Sequence, residues 1–422
     1  MDFLKRYFKG DLVIWMAYFF LVLISIVCLY SASYQLTNHG ASFRPIMKHI
    51  IMLGAGFIGM CILQHVPRYL VRGGGWFILF MSWVALIATL MVGHSGGDAQ
   101  RSLSFAGINI QPSEFARLGL IIVMADLIFR FRKAPDKQKK FFFLLLIFFL
   151  VTVLLIVTQA LSTTILICCT FGLMLIYGGF SWKYILRLVA VTTVVVGILG
   201  FSCNMSAESG HYKQEYIAST NVVHASFLKA TKRFETWFAR IDHFSNEENK
   251  YQITDKNIQE GNAAVAIALG RRPAGPGNSR QRRYLPNADN DFIFAIIVEE
   301  WGIYGALVIM VLYIFLIVRC FRIAQKSDNE FDSVLVMGLS LIILLQALLH
   351  MAISVGIAPV TGQSLPLIGR GGSSIVIISA YLGLTIGVAE RNKKNNELEE
   401  EQDDGSLYGE AVIASLESDN NE

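Results

Sequence analysis

Apolar runs of about 18–22 residues recur along the chain, and runs of that length each cross a bilayer as one helix. They fall at residues 12–31, 47–66, 76–92, 115–131, 141–157, 165–180, 185–203, 292–318, 334–355 and 374–388. The pattern predicts an all-α polytopic membrane protein with ten transmembrane helices, so both termini lie on one side. A long polar stretch, about 204–290, separates helices seven and eight. The first apolar run is long enough to span and stay, so no cleaved leader is required.

Basic residues orient the bundle. Lys5, Arg6 and Lys9 precede the first run, and Arg68 and Arg72 lie between the second and third. Arg130, Arg132, Lys133, Lys137, Lys139 and Lys140 follow the fourth, Arg319, Arg322 and Lys326 the eighth, and Arg391, Lys393 and Lys394 the tenth. All of these clusters fall on one side, with Arg44, Lys48, Arg101 and Arg370 as exceptions in the opposite short loops. The termini are therefore expected in the cytoplasm and the 204–290 loop outside. Long loops are exempt from the charge rule, so the Lys and Arg residues of that loop do not oppose the assignment.

Composition agrees. Apolar residues make up 54% of the 422 and charged residues 16%, with a mean hydropathy of +0.50, whereas soluble domains run near ~25% charged. A soluble multidomain enzyme is excluded. Six cysteines lie mostly inside apolar runs without C-x-x-C spacing, which indicates neither a disulfide framework nor a zinc site. No Walker motif is present, which argues against an ATP-driven pump, and no nucleic-acid partner is expected. Residues 1–391 form the membrane domain. From 392 to 422 the chain is rich in Glu, Asp and Asn, a composition that predicts a disordered cytoplasmic tail.

Four polar segments on the outward side carry candidate chemistry. In Leu285-Pro286-Asn287-Ala288-Asp289-Asn290-Asp291-Phe292-Ile293-Phe294, Asp291 stands where the polar stretch meets lipid-grade hydrophobicity. Charge at a membrane segment is a functional hypothesis, but a carboxylate in the first turn of a helix also gains from its dipole. Before it, Arg271, Arg272, Arg280, Arg282 and Arg283 sit in a Gly- and Pro-rich loop. Their guanidinium forks match phosphate oxygens, and a solvated basic loop meeting headgroups is the plainer reading. Lys232, Arg233 and Arg240 around Phe234, Trp237 and Phe238 suit a helix lying in the headgroup layer.

A second segment joins Gly96-Gly97-Asp98-Ala99-Gln100-Arg101 to Gln111-Pro112-Ser113-Glu114-Phe115-Ala116-Arg117. Ser113 reads as a helix N-cap with Glu114 in the first turn. Arg117, three residues on, can pair with Glu114 or bind an anion. The third, Thr158-Gln159-Ala160-Leu161-Ser162-Thr163-Thr164, reads as helix packing. The fourth holds Pro359-Val360-Thr361-Gly362-Gln363-Ser364 and Arg370-Gly371-Gly372-Ser373-Ser374. Its small residues open a helix whose amides favour an anion. His350 is a lone histidine in an apolar run and reads as packing, and Asp126 is the other interior ionisable group.

In this order the segments resemble the SEDS family (FtsW, RodA and SpoVE) of bacterial cell-wall proteins. The resemblance covers the chain to about Arg391. It rests on Tyr30-Ser31-Ala32-Ser33, Gln111-Pro112-Ser113-Glu114-Phe115-Ala116, Gly275-Pro276-Gly277-Asn278-Ser279, Leu285-Pro286, Asp291-Phe292-Ile293-Phe294, Glu299-Glu300-Trp301-Gly302, Pro359-Val360-Thr361-Gly362 and Gly371-Gly372-Ser373-Ser374. The Gly-Pro-Gly-Asn-Ser-x-Gln form and the acidic tail look more like the division branch, FtsW, than RodA. The resemblance implies a peptidoglycan glycosyltransferase of the inner membrane at the division septum, polymerising lipid II. It implies Asp291 as the catalytic base, with Arg101, Gln111, Ser113, Glu114, Arg117, Arg282, Thr361, Gly371, Gly372, Ser373 and Ser374 on the substrate. A divalent cation, Mg²⁺ or Mn²⁺, is one source of positive charge for the leaving diphosphate. The expected partners are a class B penicillin-binding protein, a transpeptidase, and other division proteins.

Several positions depart from the family pattern. Arg101-Ser102 replaces Arg-Trp, Gln159-Ala160-Leu161-Ser162-Thr163 replaces Pro-Asp-x-Gly-Thr, His350 replaces an asparagine, and Arg370 precedes Gly371-Gly372. A lipid II flippase, an elongation-type polymerase and a non-catalytic division scaffold are the competing readings. A flippase needs polar groups along the depth of the bundle, whereas here they collect at one mouth.

Overall fold

The computed structural model describes residues 10–37, 44–92, 103–105, 108–157, 161–208, 240, 258–285 and 288–419. Each expected apolar run falls on a helix: α1 (Leu12–Thr37), α2 (Arg44–Leu63), α3 (Arg68–Val92), α4 (Pro112–Lys133), α5 (Gln138–Val157), α6 (Leu161–Tyr177), α7 (Trp182–Glu208), then α9 (Ile293–Gln325), α10 (Glu330–Ser354) and α11 (Gly372–Asp419). A further helix, α8 (Ile258–Leu269), lies in the long polar stretch and packs on α9. The architecture is all-α, with one small addition in the polar segment before α4. Strands β1 (Leu103–Phe105) and β2 (Ile108–Ile110) pair antiparallel as a short hairpin that leads into α4.

Among the described residues, seven helices, α1, α2, α3, α5, α9, α10 and α11, are long and apolar enough to cross a membrane. α4 is diluted by Glu114, Arg117, Asp126 and its terminal Arg130, Arg132 and Lys133, and α6 has only 17 residues. At least seven crossings therefore stand on length and composition, and ten is the count the sequence predicts.

α11 and α10 form the centre, with 83% and 72% of their most apolar windows buried, against 28% for α2 and α3. Large apolar side chains on α1, α2, α3 and α9 stay exposed, as lipid-facing surfaces require. Close crossings use small residues. A Cβ on Gly383 would lie 2.8 Å from the Met60 carbonyl oxygen, and one on Gly387 2.8 Å from that of Gln64. This pair, four apart on α11, lets α2 lie directly against it.

Local chemistry sets the ends of α10. The Asn329 side chain accepts from the Phe331 amide at 3.0 Å, with Glu330 and Asp332 in the first turn. The helix stops at Gly356 (φ +74°), where the Ile357 amide reaches back to the Ala352 carbonyl at 2.8 Å.

α11 continues helical past residue 392 to Asp419. Its Glu, Lys, Leu and Gln residues favour helix, no proline interrupts it, and Lys393–Glu397 and Lys394–Glu390 sit at i,i+4 spacing, 3.5 and 3.9 Å apart. Low hydrophobicity forbids a packed core there, but it does not forbid a solvated helix.

Candidate active site around Asp291

Asp291 closes a turn, 288–292, that delivers the chain into α9. Phe292 occupies the N-cap position, so Asp291 stands one residue outside the helix. Its carboxylate is partly exposed and accepts from Asn290 Nδ2 at 2.8 Å. The turn is fastened to the loop before α11. Arg370 donates its amide to the Asp289 carbonyl at 3.1 Å and its NH1 to Asp289 Oδ2 at 2.6 Å. Gly369 packs against the Asn290 carbonyl. That loop is held in turn by Ser25, which accepts from His49 Nε2 at 2.7 Å and donates to the Ile368 carbonyl at 3.1 Å.

A second, buried cluster joins α4, α10 and the start of α11. Pro112 occupies the first helical position of α4 and Gln111 is its N-cap, so Ser113 is not the cap. Proline fits that position because its missing N–H would have had no helical partner. The Gln111 amide donates to Ser373 Oγ at 3.1 Å. Arg117 donates NH2 to Glu114 Oε1 at 2.9 Å and NH1 to Gln346 Oε1 at 3.2 Å, while Gln346 Nε2 donates to the Ser364 carbonyl at 2.9 Å. With Arg117 and Glu114 2% and 5% exposed, the ion-pair alternative describes Arg117, and its guanidinium is committed inside the protein. Ser374 stands beside Glu114, and Gly371 packs on Ser364 and Ser374. The Ser113, Glu114 Oε2, Arg117 Nε, Ser374 and Tyr381 polar atoms are buried without hydrogen-bond partners among the described residues.

The loop bearing Thr361 docks on α6. Ser162 donates to the Thr361 carbonyl at 3.3 Å, and Gln363 Nε2 donates to Ser162 and Thr163 at 3.2 and 3.0 Å. His350 is fully buried, with Nδ1 2.8 Å from the Gln363 carbonyl and Nε2 without a hydrogen-bond partner among the described residues. Arg240 reaches the same loop, donating to the Val360 carbonyl at 2.9 Å. Gly372 is exposed at the start of α11, whereas Ser373 and Ser374 face inward.

The arginine loop is built on a broken helix. Gly302, at φ +68°, interrupts α9, and only glycine fits, since a Cβ would lie 2.7 Å from Pro273. The break frees the carbonyls of Glu299 and Glu300, which accept from the Ala274 and Gly275 amides at 3.0 Å each. Their side chains hold the rest of the loop. Glu299 accepts from Ser279 Oγ at 2.5 Å and the Arg280 amide at 2.7 Å. Glu300 accepts from Ser31 Oγ at 2.7 Å and from Arg282 NH1 at 3.3 Å. Of the five loop arginines, Arg271, Arg272, Arg280 and Arg283 are exposed and Arg282 is buried. Burial pulls the Arg282 pKa down, and Glu300 beside it pushes it back up.

The structure thus brings Gln111, Ser113, Glu114, Arg117, Gly371, Gly372, Ser373 and Ser374 together, ties Asp291 to that loop through Asp289 and Arg370, and seats Arg282 near Asp289. Arg101, Gln159 and the Phe234–Trp237 region lie outside the described residues. Sequence reasoning missed Glu299 and Glu300 as organisers, although two acids inside an apolar run are costly enough to flag. It also missed His49, Ser25 and Asp289, which no local spacing marks.

Residues 11–394 match the FtsW/RodA/SpoVE family model, described as "Cell cycle protein". The chain is 28% identical over 392 residues to a probable peptidoglycan glycosyltransferase FtsW of Bacillus subtilis, covering 88% of this chain and 90% of that one. It is 30% identical over 402 residues to the Halothiobacillus neapolitanus protein of the same description (93% and 89%). It is 26% identical over 376 residues to the peptidoglycan glycosyltransferase MrdB of Escherichia coli K12 (88% and 93%). The fold matches a chain from a structure described as structural coordination of polymerization and crosslinking by a peptidoglycan synthase complex, with TM-score 0.65, 21% identity and coverage of 92% and 99%. It also matches the Thermus thermophilus rod shape determining protein RodA, with TM-score 0.59, 18% identity and the same coverage.

Proposed function

The chain belongs to the FtsW/RodA/SpoVE family, and from that premise we propose that it is a peptidoglycan glycosyltransferase that polymerises lipid II, with Asp291 as general base. One observation carries the choice of Asp291. Glu114, Glu299 and Glu300 are 5%, 1% and 2% exposed and serve internal partners, whereas Asp291 is partly exposed on a turn braced from two sides. A base must reach the hydroxyl it deprotonates.

In this reading Asp291 takes the proton of the acceptor sugar hydroxyl as its oxygen attacks the anomeric carbon of the donor. The bond to the diphosphate breaks in the same displacement, with inversion, so no second nucleophilic carboxylate is needed. Positive charge at the departing diphosphate comes from the loop arginines. Among the described residues no three His, Cys, Asp or Glu side chains are grouped to hold a metal. Mg²⁺ commonly takes only one or two carboxylates plus substrate phosphates, and Asp289 and Asp291 are of that donor type. A bound divalent cation would add Lewis-acid neutralisation of the leaving group.

The buried cluster of Glu114, Arg117, Ser113, Ser373 and Ser374 supports the site from beneath, with Gln111, Gly371, Gly372 and Thr361 shaping the loops over it. We place both termini in the bacterial cytoplasm, with ten crossings and Asp291 on the outer face, on the distribution of basic clusters. A division role with a class B penicillin-binding protein at the septum follows from the FtsW-like loop.

The test is polymerisation of purified lipid II by the protein with its transpeptidase. Asp291→Asn should abolish polymer while the purified protein stays folded. Polymer at the wild-type rate from that variant would sink the base assignment, and no polymer from the wild type would favour a flippase.

A further inference from the structure

Arg282 differs from the other loop arginines in how its guanidinium is used. Its side chain is 8% exposed. NH1 donates to Ser31 Oγ at 3.2 Å and Glu300 Oε1 at 3.3 Å, and Ser31 Oγ itself donates to Glu300 at 2.7 Å. Nε and NH2 are buried and have no hydrogen-bond partner among the described residues. Buried donors are normally paired, and these two form one edge of the guanidinium, two parallel N–H bonds at the spacing of a phosphoryl group's oxygens.

The backbone under this edge is fixed. The Arg282 amide donates to Ser279 Oγ at 3.2 Å, and Ser279 is bound to Glu299. Asp289, two residues before Asp291, is close enough to act on the same charge. The flanking Arg280 and Arg283 are exposed, which adds positive charge around this loop.

We propose that Glu300 and Ser31 are positioning residues that hold Arg282 by NH1, presenting its Nε–NH2 edge as a two-pronged donor to one phosphoryl group of a diphosphate-bearing lipid. The lipid's identity rests on the polymerase reading, and the fork itself does not. Glu300 orients and polarises the guanidinium. Ser31 ties α1 to the loop, so the first helix takes part in the site.

Two readouts on the full-length purified protein separate the ideas. The first is protection of amides 274–283 from hydrogen exchange on addition of inorganic diphosphate. The second is KM against kcat for lipid II. Wild type should show protection. Arg282→Lys keeps the charge but not the fork and should lose protection and raise KM about tenfold, the cost of one charge-assisted bond. Glu300→Gln and Ser31→Ala should shift KM in the same direction, and Arg282→Lys with Glu300→Gln should be no worse than Arg282→Lys alone. Protection of Arg282→Lys equal to wild type would overturn the fork, leaving Arg282 as a counter-ion of Glu300. A fall in kcat with unchanged KM in Ser31→Ala would overturn the positioning role, and this variant serves where Glu300→Gln does not fold. A wild type protected by diphosphate yet making no polymer supports the fork while removing the polymerase reading.

Discussion

The two ends of the bundle use the same residue types in opposite ways. At the end away from Asp291, carboxylates are sealed in and arginines reach in to them. Asp332 is fully buried between Arg68, at 2.6 Å, and Arg391, at 3.1 Å. Asp126 is fully buried with Arg130 at 3.0 Å, and Asp11 pairs with Arg319. Asp126–Arg130 lies within α4, and the pairs of Asp332 and Asp11 tie separate parts of the bundle to one another. At the Asp291 end Glu114 and Arg117 form one such sealed pair, but the buried acids Glu299 and Glu300 bind mostly hydroxyls and backbone amides, and they hold a loop. Four of the five arginines of that loop are thereby left facing outward, and Arg282 alone turns inward to Glu300. One end uses charge to close the bundle, and the other uses it to shape a surface that an anion can reach.

That comparison is tested most sharply by pairing Asp291→Asn with Asp332→Asn. Asp291→Asn should cost about 10²–10⁴ in polymerisation rate with thermal stability unchanged, the range for loss of a general base. Asp332→Asn leaves two arginines without their counter-charge and should cost ~3–5 kcal/mol of stability, read as a fall in melting temperature in detergent, while molecules that stay folded keep their activity. An Asp332 variant that is stable but inactive would break the division of labour. Gly302→Ala comes next. It forces a Cβ into Pro273 at positive φ and should cost about 1–3 kcal/mol, with the arginine loop losing protease resistance before the bundle melts. Arg370→Ala breaks a half-exposed pair with Asp289, so stability should change by less than about 1 kcal/mol. Activity should nonetheless drop severalfold because the Asp291 turn loosens. The smallest effect belongs to Lys393→Ala, a solvated i,i+4 pair with Glu397, at about 0.5 kcal/mol or less in stability and none in rate.

Much of the fold was legible because a lipid-spanning helix satisfies its own backbone and so must write its length into one continuous apolar run. The site was legible where a polar residue breaks such a run, as Asp291, Glu114 and Arg117 do. It was less legible where meaning depends on a distant partner. Ser113 had the spacing of a cap, but Pro112 starts the helix one residue earlier. Arg282 was set apart from its four neighbours only by the family resemblance, and its contact with Ser31, 251 positions away, is visible only in the fold.

The sequence alone therefore determined the helices, the basic clusters that orient them and the carboxylate at the edge of the ninth helix of the fold. Only the tertiary structure decided which charges neutralise each other and which face outward. Hydrophobic length is a local property of the chain, whereas an ion pair is a property of space. Asp332 meets Arg68 across 264 positions of sequence, and no local pattern records that distance.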